Sequence, residues 1–168
     1  MIRKVKEEDA EAIAGIYNYY IENTVITFEE IPLSITEIKG RIHKISSKYP
    51  YLIREDNGEI TGFAYVNTWR ERSAYRHSAE VSVYLKNGRQ GKGLGKELLK
   101  SLLEEVHKTD VYSIHALVAG IALPNNGSVG IFEYFGFRKI GQFNEIGFKK
   151  GIWLDVGYWE LILNDKNP

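Results

Sequence analysis

The sequence predicts an α/β domain built on one mixed sheet. Two-residue and 3.6-residue apolar repeats follow each other in the order strand, two helices, three strands, helix, strand, helix, two strands. The length of 168 residues suits one domain, and neither an internal repeat nor a low-complexity linker divides the chain. We therefore expect residues 1–168 to form a single domain.

The first elements are predicted from periodicity. Residues 2–5 alternate as a short strand, and Asp9 precedes a helix, while residues 24–30 form a β-prone connection. The apolar face of that helix carries Ile13, Ile16, Tyr17, Tyr20 and Ile21.

Local motifs predict the next two elements. Ser34 with Glu37 three residues later is a capping box that begins the second helix. Asn57-Gly58 between two β-prone runs, 51–54 and 60–69, is typical of a hairpin.

The second half of the chain contains the most informative stretch. Residues 80–85 alternate as a strand, and a helix begins at Leu94. A polar loop, 70–77, precedes this strand, and residues 113–118 form another strand. Residues 125–135 have the spacing of a short helix, and two aromatic-rich strands follow.

The loop between the strand at Glu80 and the helix at Leu94 is suited to bind an anion. Glycines leave backbone N–H groups uncovered, and a helix N-terminus adds partial positive charge. The loop and the helix start contribute Arg89, Gln90, Gly91, Lys92, Gly93, Leu94, Gly95 and Lys96. A phosphate is the expected ligand, and a ligand-free glycine-rich turn is the alternative.

Specific residues exclude two nucleotide motifs. A Walker A loop needs Ser or Thr after Gly-Lys, but Glu97 follows Lys96; a dinucleotide fingerprint needs a small residue where Leu98 stands. The pattern Gln90-x-x-Gly93-x-Gly95 resembles the pyrophosphate loop for acetyl-coenzyme A in the GCN5-related N-acetyltransferase (GNAT) superfamily.

The resemblance extends along most of the chain. Asn125-x-x-Ser128-x-x-Ile131-Phe132 is similar to the second cofactor segment of the superfamily. More closely, the chain resembles the phosphinothricin N-acetyltransferase group, including the methionine sulfoximine acetyltransferases. The matching pieces include Thr27-Phe28-Glu29, Gly62-Phe63-Ala64-Tyr65, residues 69–75, residues 80–84 and residues 153–159. The resemblance implies a mostly antiparallel twisted sheet, helices on both faces, and a splay at the acetyl-coenzyme A strand.

Transfer of an acetyl group to an amine requires a base, and Glu80 is the predicted catalytic residue. It begins the cofactor strand among apolar neighbours, where burial raises a carboxyl pKa toward the working range. His77 and Glu71 are alternative bases, and a surface ion pair is the structural alternative for Glu80.

The resemblance implies further cofactor contacts. The main chain of the splayed strand supplies N–H donors to the thioester carbonyl, which points to Val81, Ser82, Val83, Tyr84 and Leu85. Asn125 and Ser128 are expected to hold the pantetheine arm. Phe132 stands where a proton-donating tyrosine is usual, and Tyr134 lies on a different helical face.

Arginines and aromatic residues are expected to bind the acceptor. Arginine binds carboxylates in bidentate fashion, and aromatic side chains wall the pocket. The predicted substrate-binding residues are Phe28, Glu29, Trp69, Arg70, Arg72 and Tyr75. The group often carries histidines within 147–155, where this chain has Lys150 and Leu154, so we expect the broader class of small amino-acid analogues.

Composition narrows the partners. With 22 basic and 22 acidic residues, no net field favours nucleic acid or an anionic membrane. The absence of cysteine excludes thiolate chemistry and favours a cytoplasmic location, and the four histidines show no metal-ligand spacing. We expect no signal peptide, since Met1-Ile2-Arg3-Lys4 leads into acidic residues. Trp153, Tyr158 and Trp159 are assigned either to a homodimer interface, as the resemblance implies, or to the core.

Three functions remain open at this point. The first is acetyl transfer to a small amino-acid-like amine. The second is acetylation of a protein N-terminus or lysine, which the arginine-rich residues 70–76 disfavour. The third is an acyl-coenzyme A sensor without catalysis, which Glu80 disfavours.

Overall fold

The computed structural model describes residues 1–108 and 114–163. It contains the predicted order of elements, with short 3₁₀ turns at Glu7–Asp9 and Ser73–Tyr75. The helices and strands are β1 (Ile2–Lys4), α1 (Ala10–Asn23), α2 (Ile35–Ser46), β2 (Tyr51–Asp56), β3 (Glu59–Thr68), β4 (Ser78–Leu85), α3 (Leu94–Lys108), β5 (Ala116–Leu123), α4 (Asn126–Tyr134), β6 (Arg138–Lys149) and β7 (Ile152–Ile162). The strand predicted for 113–118 begins at Ala116 and continues to Leu123, and Ser113 lies outside the described residues.

One seven-stranded sheet has the order β1-β2-β3-β4-β5-β7-β6. Among the strands of the described residues, β4 and β5 pair in parallel, and the other neighbouring pairs are antiparallel. The mixed α/β fold with a mostly antiparallel sheet is thus confirmed.

Helices cover both faces of the sheet, which adjacent residues of β3 demonstrate. Successive side chains of a strand point to opposite faces. Phe63 packs edge-on against Tyr17 of α1, with ring centroids 6.5 Å apart. At Gly62, a built Cβ would lie 3.0 Å from Leu98 of α3. The helices α1 and α3 therefore pack on opposite faces.

Local signals begin and end the elements as predicted. The hydroxyl of Ser34 accepts a hydrogen bond from the Glu37 amide at 3.2 Å, and the Glu37 carboxylate accepts one from the Ser34 amide at 2.8 Å. Asn57 and Gly58 have φ of 51° and 80°, the left-handed conformations that a tight hairpin turn requires. The capping box and the β2–β3 hairpin are confirmed.

The two tryptophans of β7 differ in environment. Trp159 is buried, and its indole N–H donates to the Glu133 carboxylate at 3.0 Å, so it belongs to the core of this chain. Gly157 makes this packing possible, since a Cβ there would lie 2.5 Å from the Trp159 ring. Trp153, by contrast, is exposed.

The sheet opens where β4 and β5 meet. Their pairing joins Ser78, Ala79 and Glu80 to residues 116–118 and ends there. Beyond it β4 stays paired with β3 as far as Leu85, and β5 stays paired with β7 as far as Leu123. The two strands therefore diverge after Glu80, which is the splay that the resemblance implies.

Close packing of Gly62 against β4 and α3 predicts the effect of Gly62→Ala. The new Cβ would lie 2.7 Å from Leu85 Cδ2 and 2.8 Å from the Tyr84 carbonyl oxygen, which is backbone and cannot rotate away. Overpacking of this kind costs about 1–3 kcal/mol, and we expect the free energy of unfolding in urea to fall by that amount.

The matched control is Gly40→Ala in α2, where nothing lies within 4 Å of the built Cβ. Because alanine favours a helix over glycine, this variant should gain about 0.5–1 kcal/mol. Equal effects of the two substitutions would contradict the packing assigned to Gly62.

Candidate active site

A cleft of about 470 Å³ lies at the splay. Its walls are the end of β4, the glycine loop, the first turn of α3 and the start of α4. The predicted residues that line it are Val83, Tyr84, Leu85, Gln90, Gly91, Gly93, Leu94, Gly95, Lys96, Asn125 and Ser128. Both predicted cofactor segments therefore face one cavity.

Four predicted cofactor residues do not line this cleft. Val81 is buried in the core, and Ser82 is half-buried. The Arg89 guanidinium forms an ion pair with Glu59 at 2.5 Å, and the Lys92 side chain is exposed. Lys96 is the basic residue of the loop that the cleft includes.

The glycine loop is braced by a tyrosine from α1. The Gln90 side chain accepts a hydrogen bond from the Gly88 amide at 2.9 Å and donates one to the Tyr20 hydroxyl at 3.0 Å. That hydroxyl donates in turn to the Leu85 carbonyl at 2.7 Å, and burial raises the pKa of Tyr20. Gln90 thus ties the loop to the end of β4.

Sequence reasoning placed Tyr20 on the apolar face of α1 and predicted no contact with the glycine loop. Its partner Gln90 is 70 residues away in sequence, so no local pattern signals the contact. The other lining residues that were not predicted as cofactor contacts are Ile26, Gly127, Ile131 and Phe132.

The loop glycines serve two different purposes. Gly91 and Gly93 have φ of 77° and 80°, and a built Cβ on either meets nothing within 4 Å. At Gly95 a Cβ would lie 2.8 Å from Ile131 of α4. The first two allow the turn, and Gly95 allows α3 and α4 to meet behind the cleft.

The second segment is held by its own cap. The Asn125 side chain accepts a hydrogen bond from the Ser128 amide at 3.1 Å and begins α4. The Lys96 ammonium lies 3.7 Å from the centroid of the Tyr134 ring. This cation–π contact brings the first turn of α3 next to α4.

The lining fits coenzyme A in both of its chemical parts. Open glycine backbone at a helix N-terminus, with Lys96 beside it, suits a pyrophosphate. Ile26, Val83, Ile131 and Phe132 supply an apolar wall for the pantetheine arm.

Glu80 lies at the apex of the splay. It pairs with Val118 of β5 and Asn67 of β3, in the last residue pair before the strands diverge. Within residues 1–108 and 114–163, its carboxylate has no hydrogen-bond or ion-pair partner. Burial raises the pKa of Glu80 above its ordinary value of 4.5. A carboxylate in this state is suited to accept a proton.

The alternative bases are less well placed. Glu71 is exposed in the segment after β3. The backbone carbonyl of His77 accepts hydrogen bonds from the amides of His115 and Ala116, at 2.8 and 3.1 Å, so this residue extends the β4–β5 junction.

An aromatic group lies beside Glu80. A Cβ on Gly120 would approach the Tyr158 ring at 3.2 Å and the Glu80 carboxylate at 3.4 Å. The Tyr158 ring packs edge-on against Trp69, with centroids 5.7 Å apart. Tyr158 is therefore a site residue that sequence reasoning assigned to an interface or the core.

The arginines predicted for the acceptor lie in the segment after β3. The Arg70 guanidinium stacks over Trp69 at 5.1 Å from its centroid. Arg72 is exposed, as is Tyr75 at the end of a 3₁₀ turn. The structure thus places Trp69 against Tyr158 and Arg70 on Trp69, while Arg70, Arg72 and Tyr75 are all exposed.

Phe28 and Glu29 lie in the segment that connects α1 to α2. The Phe28 ring covers Gly147 of β6, where a Cβ would lie 2.2 Å from it. The Glu29 carboxylate accepts two hydrogen bonds from Arg41, at 2.6 and 3.1 Å, and one from the Tyr17 hydroxyl at 3.0 Å. Because Glu29 is engaged within the chain, we expect it to shape the rim, with Phe28 facing the acceptor.

Phe132 occupies the position of the usual proton donor and offers no proton. It is buried against Phe137, with ring centroids 5.0 Å apart. Tyr134 is exposed beneath the Lys96 ammonium.

In the described residues there is no cluster of His, Cys, Asp or Glu that could hold a metal ion, and no described helix is long and apolar enough to cross a membrane.

Comparison with known proteins agrees with this geometry. Residues 2–157 match the acetyltransferase (GNAT) domain family. The chain is 33% identical over 159 residues to a phosphinothricin N-acetyltransferase of Streptomyces viridochromogenes, covering 95% of this chain and 85% of that protein. It is 32% identical over 168 residues to an L-methionine sulfoximine/L-methionine sulfone acetyltransferase of Salmonella typhimurium, covering 98% of this chain and 95% of that protein.

A solved structure shows the same fold. A GNAT phosphinothricin acetyltransferase of Sinorhizobium meliloti, crystallised with acetyl-coenzyme A, superposes with a TM-score of 0.93 at 32% identity, covering 100% of this chain and 92% of that one. The chain therefore belongs to the GNAT acetyltransferase family and is an acetyl-coenzyme A-dependent N-acetyltransferase.

Proposed function

We propose that the protein acetylates the amino group of a small amino-acid-like acceptor of the phosphinothricin, methionine sulfoximine or methionine sulfone type. The observation that carries this proposal is the position of Glu80. It lies at the apex of the splay, three residues before the first β4 residue that lines the cleft, and beside Tyr158, which packs on Trp69 and thereby adjoins Arg70. The names of the two curated relatives support the acceptor class.

Glu80 prepares the acceptor. An amine is protonated near neutral pH and cannot attack until a base removes a proton. The raised pKa of Glu80 brings its basicity closer to the working range, and no described cation lies against it to lower that basicity. Acetyl-coenzyme A supplies the activated acetyl group as a thioester.

The backbone of β4 beyond Glu80 serves the carbonyl oxygen. Residues 81–85 have no strand partner on the β5 side. Backbone N–H groups on that side are free to donate where negative charge develops.

The acceptor carboxylate is assigned to the arginines after β3. Arg70 is positioned by Trp69, and Arg72 is open to solvent. At the late loop, Leu154 is buried in the core, and the Lys150 ammonium donates to the Glu22 carbonyl. These two positions therefore cannot make the contacts of the histidines that the phosphinothricin group often carries there. We favour methionine sulfoximine and methionine sulfone over phosphinothricin as acceptors.

The alternatives have less support. A peptide acceptor would require an open acidic or apolar groove, whereas the segment beside Trp69 carries Arg70, Arg72 and Arg76. A sensor without catalysis would not need the unpaired carboxylate of Glu80. A cytoplasmic location remains a prediction.

A free-thiol assay for coenzyme A release tests the function. The panel contains methionine sulfoximine, methionine sulfone, phosphinothricin, common amino acids and a short peptide, and the chain has no cysteine to add background. We expect turnover on the amino-acid analogues, with Glu80→Gln lowering kcat/KM about a hundredfold to ten-thousandfold, as expected for loss of a general base.

The pH profile gives the same assay a second readout. Since burial raises the pKa of Glu80, the base is protonated at acid pH and becomes active as pH rises through that pKa. We expect kcat/KM to rise through an inflection above 4.5, and this inflection should be absent in Glu80→Gln. Turnover of the peptide alone would contradict the acceptor class, and an unchanged profile in the variant would contradict the base.

The brace on the glycine loop predicts that Tyr20→Phe weakens cofactor binding. The variant leaves the Gln90 amide and the Leu85 carbonyl without the hydroxyl that joins them. Each of the two lost hydrogen bonds is worth about 1 kcal/mol, so calorimetry should show the Kd of acetyl-coenzyme A rising about fivefold to thirtyfold.

The control is Tyr19→Phe, one residue earlier in α1. Its hydroxyl makes no hydrogen bond within residues 1–108 and 114–163, and its ring packs against Tyr20 in either form. Equal weakening by both variants would contradict the brace.

We also propose that the protein forms a homodimer through the β6–β7 hairpin. Beside the hairpin turn, the exposed rings of Phe148 and Trp153 contact each other with centroids 4.9 Å apart, and Ile146, two residues before Phe148, is exposed as well. Trp153 is 61% exposed. A contiguous apolar surface of this kind is typical of an association site.

Analytical ultracentrifugation tests the dimer. We expect the parent to sediment as a dimer and Trp153→Lys as a monomer, because an ammonium group in the apolar contact has no partner. Ile35→Lys, an exposed apolar residue at the start of α2, is the control and should remain dimeric. A monomeric parent would overturn the proposal.

A further inference from the structure

One buried charge has no part in the chemistry described above. Lys149, the last residue of β6, is 3% exposed, and its ammonium donates a hydrogen bond to the Thr27 carbonyl at 2.8 Å. The two residues are 122 positions apart in sequence. Burial lowers the pKa of Lys149, and the neighbouring charge of Lys150 acts in the same direction. Burying an ammonium is costly, so a purely packing role would be better served by methionine.

The segment that Lys149 holds has no helix or strand of its own. It connects α1 to α2, and side chains from those helices anchor its other side. The Thr27 hydroxyl shares a 3.0 Å hydrogen bond with the Tyr17 hydroxyl. Glu29 is held by Tyr17 and Arg41. Lys149 supplies the hydrogen bond from the sheet side.

The residues on either side of Thr27 contact the cleft and β6. Ile26 lines the cofactor cleft, and Phe28 lies on Gly147, two residues before Lys149 in β6. Phe28 remains 43% exposed although its ring sits directly on the strand backbone. Fixing the Thr27 carbonyl therefore fixes the direction of the Phe28 ring.

We propose that Lys149 is a positioning residue for the acceptor: its ammonium holds the Thr27 carbonyl and thereby places Phe28 at the acceptor side of the site. The proposal rests on the proposed function, because it takes Phe28 as a wall of the acceptor pocket. Lys149 itself touches neither the acceptor nor the cofactor in this assignment.

The first test is steady-state kinetics of Lys149→Met. Methionine matches the unbranched apolar stem of lysine and removes the ammonium donor. We expect the KM of methionine sulfoximine to rise about tenfold, the loss expected for one charge-assisted hydrogen bond. The kcat should change less than twofold, and the KM of acetyl-coenzyme A should change less than that of the acceptor, since Ile26 is one of many residues in the cleft.

Two variants serve as controls. Lys149→Arg keeps a cationic donor and should recover part of the lost acceptor affinity. Lys150→Met removes the neighbouring exposed ammonium, which donates to Glu22 and not to the segment, and should leave the acceptor KM unchanged. Equal effects of Lys149→Met and Lys150→Met would overturn the proposal.

A double-mutant cycle tests whether Lys149 acts through Phe28. If it does, Lys149→Met should add little to the acceptor KM of Phe28→Ala, because the ring that it positions is already absent. Additive effects would overturn the proposal.

Hydrogen exchange separates this proposal from the acceptor class. We expect amides of residues 25–30 to exchange faster in Lys149→Met than in the parent, with the rest of the chain unchanged. This readout does not depend on which amine is acetylated. Faster exchange with no turnover on amino-acid analogues would support the role of Lys149 in holding the segment and reject the acceptor class. Unchanged exchange would reject that role of Lys149.

Discussion

The parallel pairing of β4 with β5, and its end at Glu80, is the constraint on which the site depends. Each strand is held by its other neighbour, β3 or β7, well past the point of divergence. The facing backbone groups beyond Glu80 therefore lack partners within the sheet. Because buried backbone N–H and C=O groups require partners, a ligand is the natural complement of this gap. Tyr20 satisfies one of these groups, the Leu85 carbonyl, and Gln90 links that bond to the glycine loop.

Glycine contributes to the site in two physically different ways. Gly91 and Gly93 adopt left-handed backbone conformations in open space, so their value is the shape of the loop. Gly95 and Gly147 are crowded, by Ile131 and by the Phe28 ring. Here the absence of a Cβ is what matters. It lets α4 approach α3 at Gly95, and it lets the segment between α1 and α2 approach β6 at Gly147. A sequence motif counts all of these glycines alike, and only the structure separates them.

Signals that lie within a few residues predicted the fold well. The Ser34–Glu37 box, the Asn57-Gly58 turn and the alternation before Leu94 each depend on neighbours in the chain, so pattern alone was enough. The strand that contains Glu80 was predicted in the same way, and the role of Glu80 as the base is part of the proposed function. The family resemblance supplied the splay, which no local pattern contains.

What sequence reasoning missed depends on distant partners. Tyr20 with Gln90, Arg41 with Glu29, and Lys149 with Thr27 are joined only after the sheet and helices pack. Each of these side chains also has an ordinary explanation as a core or surface residue, and sequence offers no reason to prefer the contact. Tyr158 was left between interface and core for the same reason.

Lys149 and Glu80 are both shielded from solvent, but the charge of one has a hydrogen-bond partner and the charge of the other has none in the described residues. Their proposed roles explain the difference. Lys149 is given a carbonyl partner, because a residue that holds a segment in place must keep its bond. Glu80 is given no described partner at all, although an arginine nearby would stabilise its charge. Such an ion pair would lower the pKa of Glu80 and weaken it as a base. Arg70 instead stacks on Trp69. Its guanidinium stays near the proposed acceptor pocket, and one face of the guanidinium is covered by the indole ring. Under the proposed function, the lack of an ion pair at Glu80 forgoes stability and keeps the carboxylate basic where the amine must lose its proton.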